Sequence, residues 1–418
     1  MNHATGARVA WVEDRVRTQC FGAGIPASGA TITVGAELEL LAFDEKSHAL
    51  ASIFDAGGSL DCVRLVARRL SWHEALSAKG VPRFMTVTGG SLTFEPGGQL
   101  EYASAVHGSV DGVLLELCAV ESALRNAADE FGISLLACGV DPYNTDANVD
   151  LQLVADRYQK MARYFDTIGP DGARMMRQTA SLQINVGGIP STERWAVANA
   201  IAPWLLALFA NSTRYAAADT GYASYRGETW RGVDPSRTGL FAGDDPVREY
   251  AAFALGANAF LADDAAPAFN RLDDSRVSDA SLTAHLSTLF PEVRPRGYLE
   301  LRSIDAIGSE ARAAALVLVA GILADPTAAR QALELTGPAD SDLLRRAGRD
   351  GPRDARIAAT SSDLVRIARE GCVRLGPDVV SEATLSAARL ISLKPPGASV
   401  TRVDTAPESH QNRTTACR

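Results

Sequence analysis

Four stretches of the chain alternate polar and apolar positions with a period of two, the pattern of strands with one face buried and one face chemically distinct. In Thr31–Phe43 the acids Glu37 and Glu39 fall on one face and Leu38 and Leu40 on the other. In Ser181–Val186, Ser181, Gln183 and Asn185 alternate with Leu182, Ile184 and Val186. Arg296–Asp305 places Tyr298, Glu300, Arg302 and Ile304 on one side. The fourth stretch, Thr93–Tyr102, holds Glu95 and Glu101 on either side of Pro96-Gly97-Gly98. Proline fixes φ and glycine permits positive φ, so the backbone bends sharply between two acids an even step apart. Helical spacing predicts helices over 8–20, 59–70, 110–131, 156–168, 195–211, 246–261, 282–290, 311–323, 328–335, 360–375 and 382–393. Gly169-Pro170-Asp171-Gly172 reads as a break, and 215–239, with low helix and strand signal, as an ordered loop.

No internal repeat or interdomain linker interrupts the pattern, so residues 1–394 are expected to form one catalytic domain. The polar, Pro- and Gly-containing segment 395–418 is expected to be a disordered tail. The 418 residues carry a net charge of -9, and no basic run interleaved with aromatics occurs, which argues against nucleic-acid binding. No apolar run is long enough to span a bilayer, which argues against a membrane protein. The six cysteines are scattered without a CxxC pair, as expected for reduced thiols in a cytoplasmic protein.

Carboxylates gathered on one face need a positive partner, and a divalent cation with oxygen ligands is the simplest. Glu37, Glu39, Glu95, Glu101 and Glu300 on one sheet would suffice for more than one Mg²⁺, with coordination sites left for phosphate oxygens. The plain alternative for each strand is a solvated face, and for Glu300 and Arg302 an ordinary ion pair. In the loop, Arg226, Arg231 and Arg237 stand among Tyr222, Tyr225 and Trp230, a composition suited to anions. Acids, several metals and a basic loop suggest nucleotide-dependent phosphoryl transfer; two-metal hydrolysis is a competing use of the same acids. Neither a GxxxxGK[ST] nor a GxGxxG motif is present, so a nucleotide would be held through its metal-bridged phosphates.

Taken in order, Gly35-Ala36-Glu37-Leu38-Glu39, Glu95-Pro96-Gly97-Gly98-Gln99-Leu100-Glu101, Met175–Asn185 and Leu289–Arg302 resemble the glutamate–cysteine ligases of plant and actinobacterial type. Within that family they are most similar to the bacterial enzymes of ergothioneine biosynthesis. The resemblance implies an α+β, glutamine-synthetase-like fold with a curved, mainly antiparallel sheet flanked by helices. It implies an ATP- and Mg²⁺-dependent enzyme that joins glutamate to cysteine through a γ-glutamyl phosphate. It further implies Glu37, Glu39, Glu95, Glu101 and Glu300 as metal ligands, with Gln183 at or near that shell. Glu95 and Arg302 would act in catalysis, Arg302 and Asn185 beside the nucleotide, and Tyr225, Arg226, Trp230, Arg231 and Arg237 on substrate. Gln99 would close the corner. Tyr102-Ala103 stands where the family more often has a small aliphatic residue and Ser, a change that could reshape the amino-acid pocket. Relatives of these ligases use other amines, so a different acceptor, or a silent amino-acid-binding relative, remains an alternative.

Overall fold

The computed structural model describes residues 2–22, 32–77, 80–188, 191–260 and 266–389. The expected tail and most of the 22–29 loop lie outside them, as does Cys417. Eleven strands occur among the described residues. They are β1 (Val34–Asp44), β2 (His73–Leu76), β3 (Pro82–Met85), β4 (Ser91–Phe94), β5 (Leu100–Ala103), β6 (Ile133–Leu136), β7 (Ser181–Val186), β8 (Arg214–Tyr215), β9 (Ala218–Asp219), β10 (Val293–Pro295) and β11 (Leu299–Asp305). Nine form one sheet in the order β10-β11-β7-β1-β5-β4-β3-β2, with β6 also on β1, while β8 and β9 make a separate ribbon. Every pairing between these strands is antiparallel.

The central strand is β1, whose 11 residues pair with β5 and β7 over the first half and β6 over the second. One face of the sheet is apolar: Leu38, Leu40, Leu100, Leu182, Ile184, Leu301 and Ile304 are all buried. Each such side chain contributes ~1.5–3 kcal/mol on leaving water. Helices Val110–Glu130, Thr192–Leu208 and Ser309–Ala324 pack on the sheet. The last two are apolar nearly all round and are correspondingly buried. The core runs from Val12 to Ala388. No single helix among the described residues is long and apolar enough to cross a membrane.

The α+β sheet architecture is as expected, but several elements differ from the sequence pattern. Gly169-Pro170-Asp171-Gly172 follows the end of helix Asp156–Asp166 as expected, but it also starts a helix, Pro170–Gln178, in which Pro170 occupies the first turn where no N–H is needed. The segment read as a loop holds a helix, Tyr225–Val233, whose Ser224 hydroxyl accepts from Gly227 N. The last strand begins at Leu299, with Arg296–Tyr298 in the turn before it. A β-bulge between Leu301 and Ile304 puts Arg302 and Ser303 opposite one residue of β7. Ile304 therefore returns to the apolar face beside Leu182 and does not share a face with Arg302.

Candidate active site

The acids are placed by strand register. Glu39 stands opposite Glu101 on β5, and Glu37 stands opposite Gln183 on β7. Directly opposed residues of an antiparallel pair point to the same side, so all four belong to the polar face. Glu95 begins the corner that joins β4 to β5. Gly98 N donates to Glu95 O at 2.9 Å, closing a turn with Pro96 in its second position.

The two glycines of the corner serve different ends. Gly98 has φ +95°, the left-handed region. Gly97 has no such φ, but a Cβ there would lie 2.1 Å from Arg177 O, so the turn packs directly on the backbone of helix Pro170–Gln178. Gln99 has the structural part that the resemblance implied: its Oε1 accepts from Gly97 N at 3.0 Å, and its Nε2 donates to Thr179 O at 3.0 Å.

These elements enclose a cavity of about 620 Å³. Two sets of charged side chains line it: Glu37, Glu39, Glu95 and Glu101, and Arg157, Arg294, Arg296 and Arg302. Gln183 joins the two: Arg302 Nη1 donates to Gln183 Oε1 at 2.6 Å, and Gln183 Nε2 donates to Glu39 Oε1 at 3.2 Å. Ser181 N and Oγ also donate to Glu39 Oε2, at 2.6 and 3.0 Å.

Electrostatics divides the acids into two kinds. Burial raises the Glu101 carboxyl well above the usual range, and the charges of Glu95, Glu37 and Glu39 raise it further. Burial raises Glu37 as well, followed by repulsion from Glu300. Glu39 is raised by burial against the opposing pull of Arg226 and Arg302. Glu300 behaves oppositely. Burial alone would raise it, but Arg294, Arg302 and Arg296 together outweigh this and hold it at about 2. Its carboxylate meets Arg294 at 2.7 Å, contacts Arg302 closely, and reaches Arg296 at 3.6 Å.

Of the expected metal ligands, then, the structure brings Glu37, Glu39, Glu95, Glu101 and Gln183 to the cavity wall, while Glu300 lies behind its arginines, fully buried. Among the described residues no three acidic, His or Cys side chains converge into a ready-made metal shell. The donor set nonetheless fits Mg²⁺, which keeps several waters and takes only a few carboxylates beside phosphate oxygens. A cation would also relieve the repulsion that raises Glu101.

Asn185, expected beside the nucleotide, does not line the cavity; its Nδ2 donates to Glu37 Oε1 at 3.1 Å. The expected substrate-binding group is mostly turned to other tasks. Arg226 is buried, donates to Arg302 O at 2.9 Å and stacks over Trp230 at 4.8 Å. Arg231 pairs with Glu228 at 2.6 Å. Arg237 is fully buried, donating to Thr288 O at 2.8 Å and lying 3.2 Å from Asp234. Tyr225 packs beside Tyr215 and Arg174. Of these residues only Trp230 lines the cavity. Tyr102 is on the opposite side of β5 from Glu101: its ring stacks on Trp72 and its hydroxyl meets Glu116, so it does not shape this pocket.

Arg157 and Arg294 line the site although the sequence pattern did not single them out. Arg294 had a signal. It precedes Glu300 by the same six positions that separate Glu95 from Glu101, again around a Pro- and Gly-containing turn, and the register pairs Arg294 with Glu300. Arg157 had none, since it sits in a helix remote from every acidic strand.

The family model described as glutamate-cysteine ligase family 2 (GCS2) matches residues 33–387. The chain belongs to this family. It is 34% identical over 326 residues to glutamate–cysteine ligase EgtA of Mycolicibacterium smegmatis, covering 72% of this chain and 76% of that one. It is 30% identical to glutamate–cysteine ligase EgtA of Mycobacterium tuberculosis H37Rv over 72% of this chain and 74% of that one. With the chloroplastic glutamate–cysteine ligase of Arabidopsis thaliana it shares 27% identity, over 74% and 65% of the two lengths. The fold is similar to the solved glutamate–cysteine ligase of Francisella tularensis in complex with AMP, with TM-score 0.51 and 13% identity over 86% of this chain and 81% of that one. In this fold, the segments that carry the family signature converge on the cavity. Glu37 and Glu39, Glu95 and Glu101, Gln183 and Arg302 come from four separate stretches, and all face the same space.

Proposed function

We propose that this chain is an ATP-dependent ligase that forms γ-glutamylcysteine from L-glutamate and L-cysteine. One observation carries the reading: on a chain of this family, four carboxylates and four arginines line one cavity. That mixture of charges suits a metal-bound triphosphate on the acids and carboxylate and transferring phosphoryl oxygens on the arginines. Mg²⁺ held by Glu37, Glu39, Glu95 and Glu101 would neutralise the triphosphate. We keep Glu300 in the site as the anion that holds Arg294 and Arg302 in place.

In the first step the γ-carboxylate of glutamate attacks the γ-phosphorus of ATP, and ADP leaves. Arg302 faces the phosphoryl group in transfer, its guanidinium fixed by Gln183 and Glu300 and lying over Trp230 at 5.5 Å. A guanidinium held in advance stabilises the charge of the transition state without reorganising during the reaction. In the second step the amine of cysteine attacks the acyl carbon of γ-glutamyl phosphate. Phosphate leaves, the amine gives up a proton, and the amide bond forms. Residues 1–394 act as one catalytic domain, a reading supported by the core that runs from Val12 to Ala388. The product would serve thiol biosynthesis in a cytoplasm supplied with ATP.

The test is to incubate the protein with ATP, Mg²⁺ and glutamate, adding single amino acids in turn. Cysteine-dependent phosphate release with a product of the mass of γ-glutamylcysteine is the expected result. Phosphate release with another amine only would move the acceptor. No release with any amine would overturn the ligase reading.

A further inference from the structure

Four arginines line the cavity, and three of them, Arg294, Arg296 and Arg302, share the carboxylate of Glu300. The fourth, Arg157, has no carboxylate within ion-pair distance among the described residues. It is instead held by neutral acceptors: Nη1 donates to Ser287 Oγ and Nη2 to Ser287 O, both at 2.9 Å. Its Nε–H is buried and meets no acceptor among the described residues. A guanidinium offers five N–H donors, so this one is anchored with donors to spare. A cation in a largely desolvated position without a counter-anion is costly unless a ligand brings one.

The walls around it point to the kind of ligand. Met161, Met175, Met176, Leu286 and Phe290 line the same cavity. These apolar and thioether side chains are poor company for the ammonium of the donor glutamate. They suit a small, polarizable side chain such as a thiol. Arg157 also lies within electrostatic reach of Glu95. With Glu95 on the same cavity lining, Arg157 matches one of the two charged ends of an α-amino acid, the carboxylate, and the acids match the amine. That orientation leaves the amine inside the cavity, toward the phosphoryl group that Arg302 faces.

We infer that Arg157 binds the carboxylate of the incoming amine substrate and thereby selects an α-amino acid over a simple amine. The inference rests on the ligase reading and adds to it the residue that sets acceptor specificity. Cysteine and cysteamine, which differ by that carboxylate alone, are the probes. In the full-length protein, Arg157→Gln should raise KM for cysteine about 100-fold, the worth of a charge-assisted contact, with KM for ATP and glutamate unchanged. Activity with cysteamine should be the same in both proteins, so the preference for cysteine collapses. Arg157→Lys, which keeps the charge but not the fork, should recover part of it. A merely structural role would shift all three KM values together, and a rise confined to glutamate would place Arg157 on the donor; either result overturns the inference. Calorimetric titration of the unmutated protein with both probes, in the presence of glutamate and a non-hydrolysable ATP analogue, needs neither turnover nor a folded variant. Equal affinity for the two overturns the inference. Selective binding of cysteine in this titration, together with no phosphate release and no peptide once ATP replaces the analogue, supports it and overturns the ligase reading instead.

Discussion

Replacing Glu101 by Gln separates what the acidic cluster does for chemistry from what it does to stability. Glu101 stands directly opposite Glu39 in the β1–β5 register. At a cross-strand separation of ~5 Å and an effective dielectric of ~20, two carboxylates repel by ~3 kcal/mol. Uptake of a proton caps that penalty. Because burial and its acidic neighbours raise the Glu101 carboxyl in the folded state, the folded protein keeps this proton to higher pH than the unfolded chain. The metal-free protein should therefore lose stability as pH rises from about 4.3, the ordinary glutamate value, toward the raised one. Glu101→Gln, which removes the charge and keeps the volume, should gain little at pH 5 and up to ~3 kcal/mol at pH 8. For a chain of this length that is a rise in Tm of ~3–6 °C at the upper pH. The assay is thermal unfolding in chelator across pH 5–8, repeated with Mg²⁺ and ATP. The variant should be the more stable protein without metal, should gain less from Mg²⁺ and ATP, and should show no turnover. Identical slopes of Tm against pH for the two proteins would refute the claim that Glu101 is held against repulsion.

Glu300→Gln should destabilise the fold by ~3–5 kcal/mol, because it leaves Arg294 and Arg302 buried together without their shared anion; chemical denaturation measures it. Arg302→Lys should lower kcat about 10³-fold while KM for ATP changes little, since the fork on Gln183 and the stacking over Trp230 are lost; single-turnover phosphate release reads the chemical step. Gly97→Ala should cost ~2 kcal/mol or more, as its methyl would meet the Arg177 carbonyl, and Glu95 should shift with the corner; a drop in both Tm and activity is the expected outcome.

Much of the site was legible in the sequence because strands have an unambiguous period. Glu37 and Glu39, Ser181 and Gln183, and Glu95 with Glu101 each announced a polar face, and the register then brought those faces together. What period alone does not show is an irregularity. The bulge after Leu301 moves Ile304 to the apolar face, and no local composition marks it. Helix Tyr225–Val233 was hidden because Gly227 and Gly232 lower helix propensity and three arginines in the stretch suggest solvent. Tertiary packing overrides both signals: Gly227 lies against Leu206, Gly232 against Asp171, and Arg226 is buried beneath Trp230. At Glu300 the sequence shows the acid but not its partners, and in the structure three guanidiniums surround it. Of the cysteines expected as thiols, Cys20, Cys62, Cys138 and Cys372 are buried and outside any disulfide.

The seating of Gly97 on the backbone of helix Pro170–Gln178 also bears on traffic through the site. A corner bolted to a helix by its own main chain, and by Gln99 beneath it, makes a fixed jaw. The cavity lining also includes Pro295 and Arg296 of the turn before the last strand, where the side chain of Arg296 is half exposed. With the corner fixed in this way, a crosslink that pins it to helix Pro170–Gln178 should leave the exchange of triphosphate and peptide product unchanged.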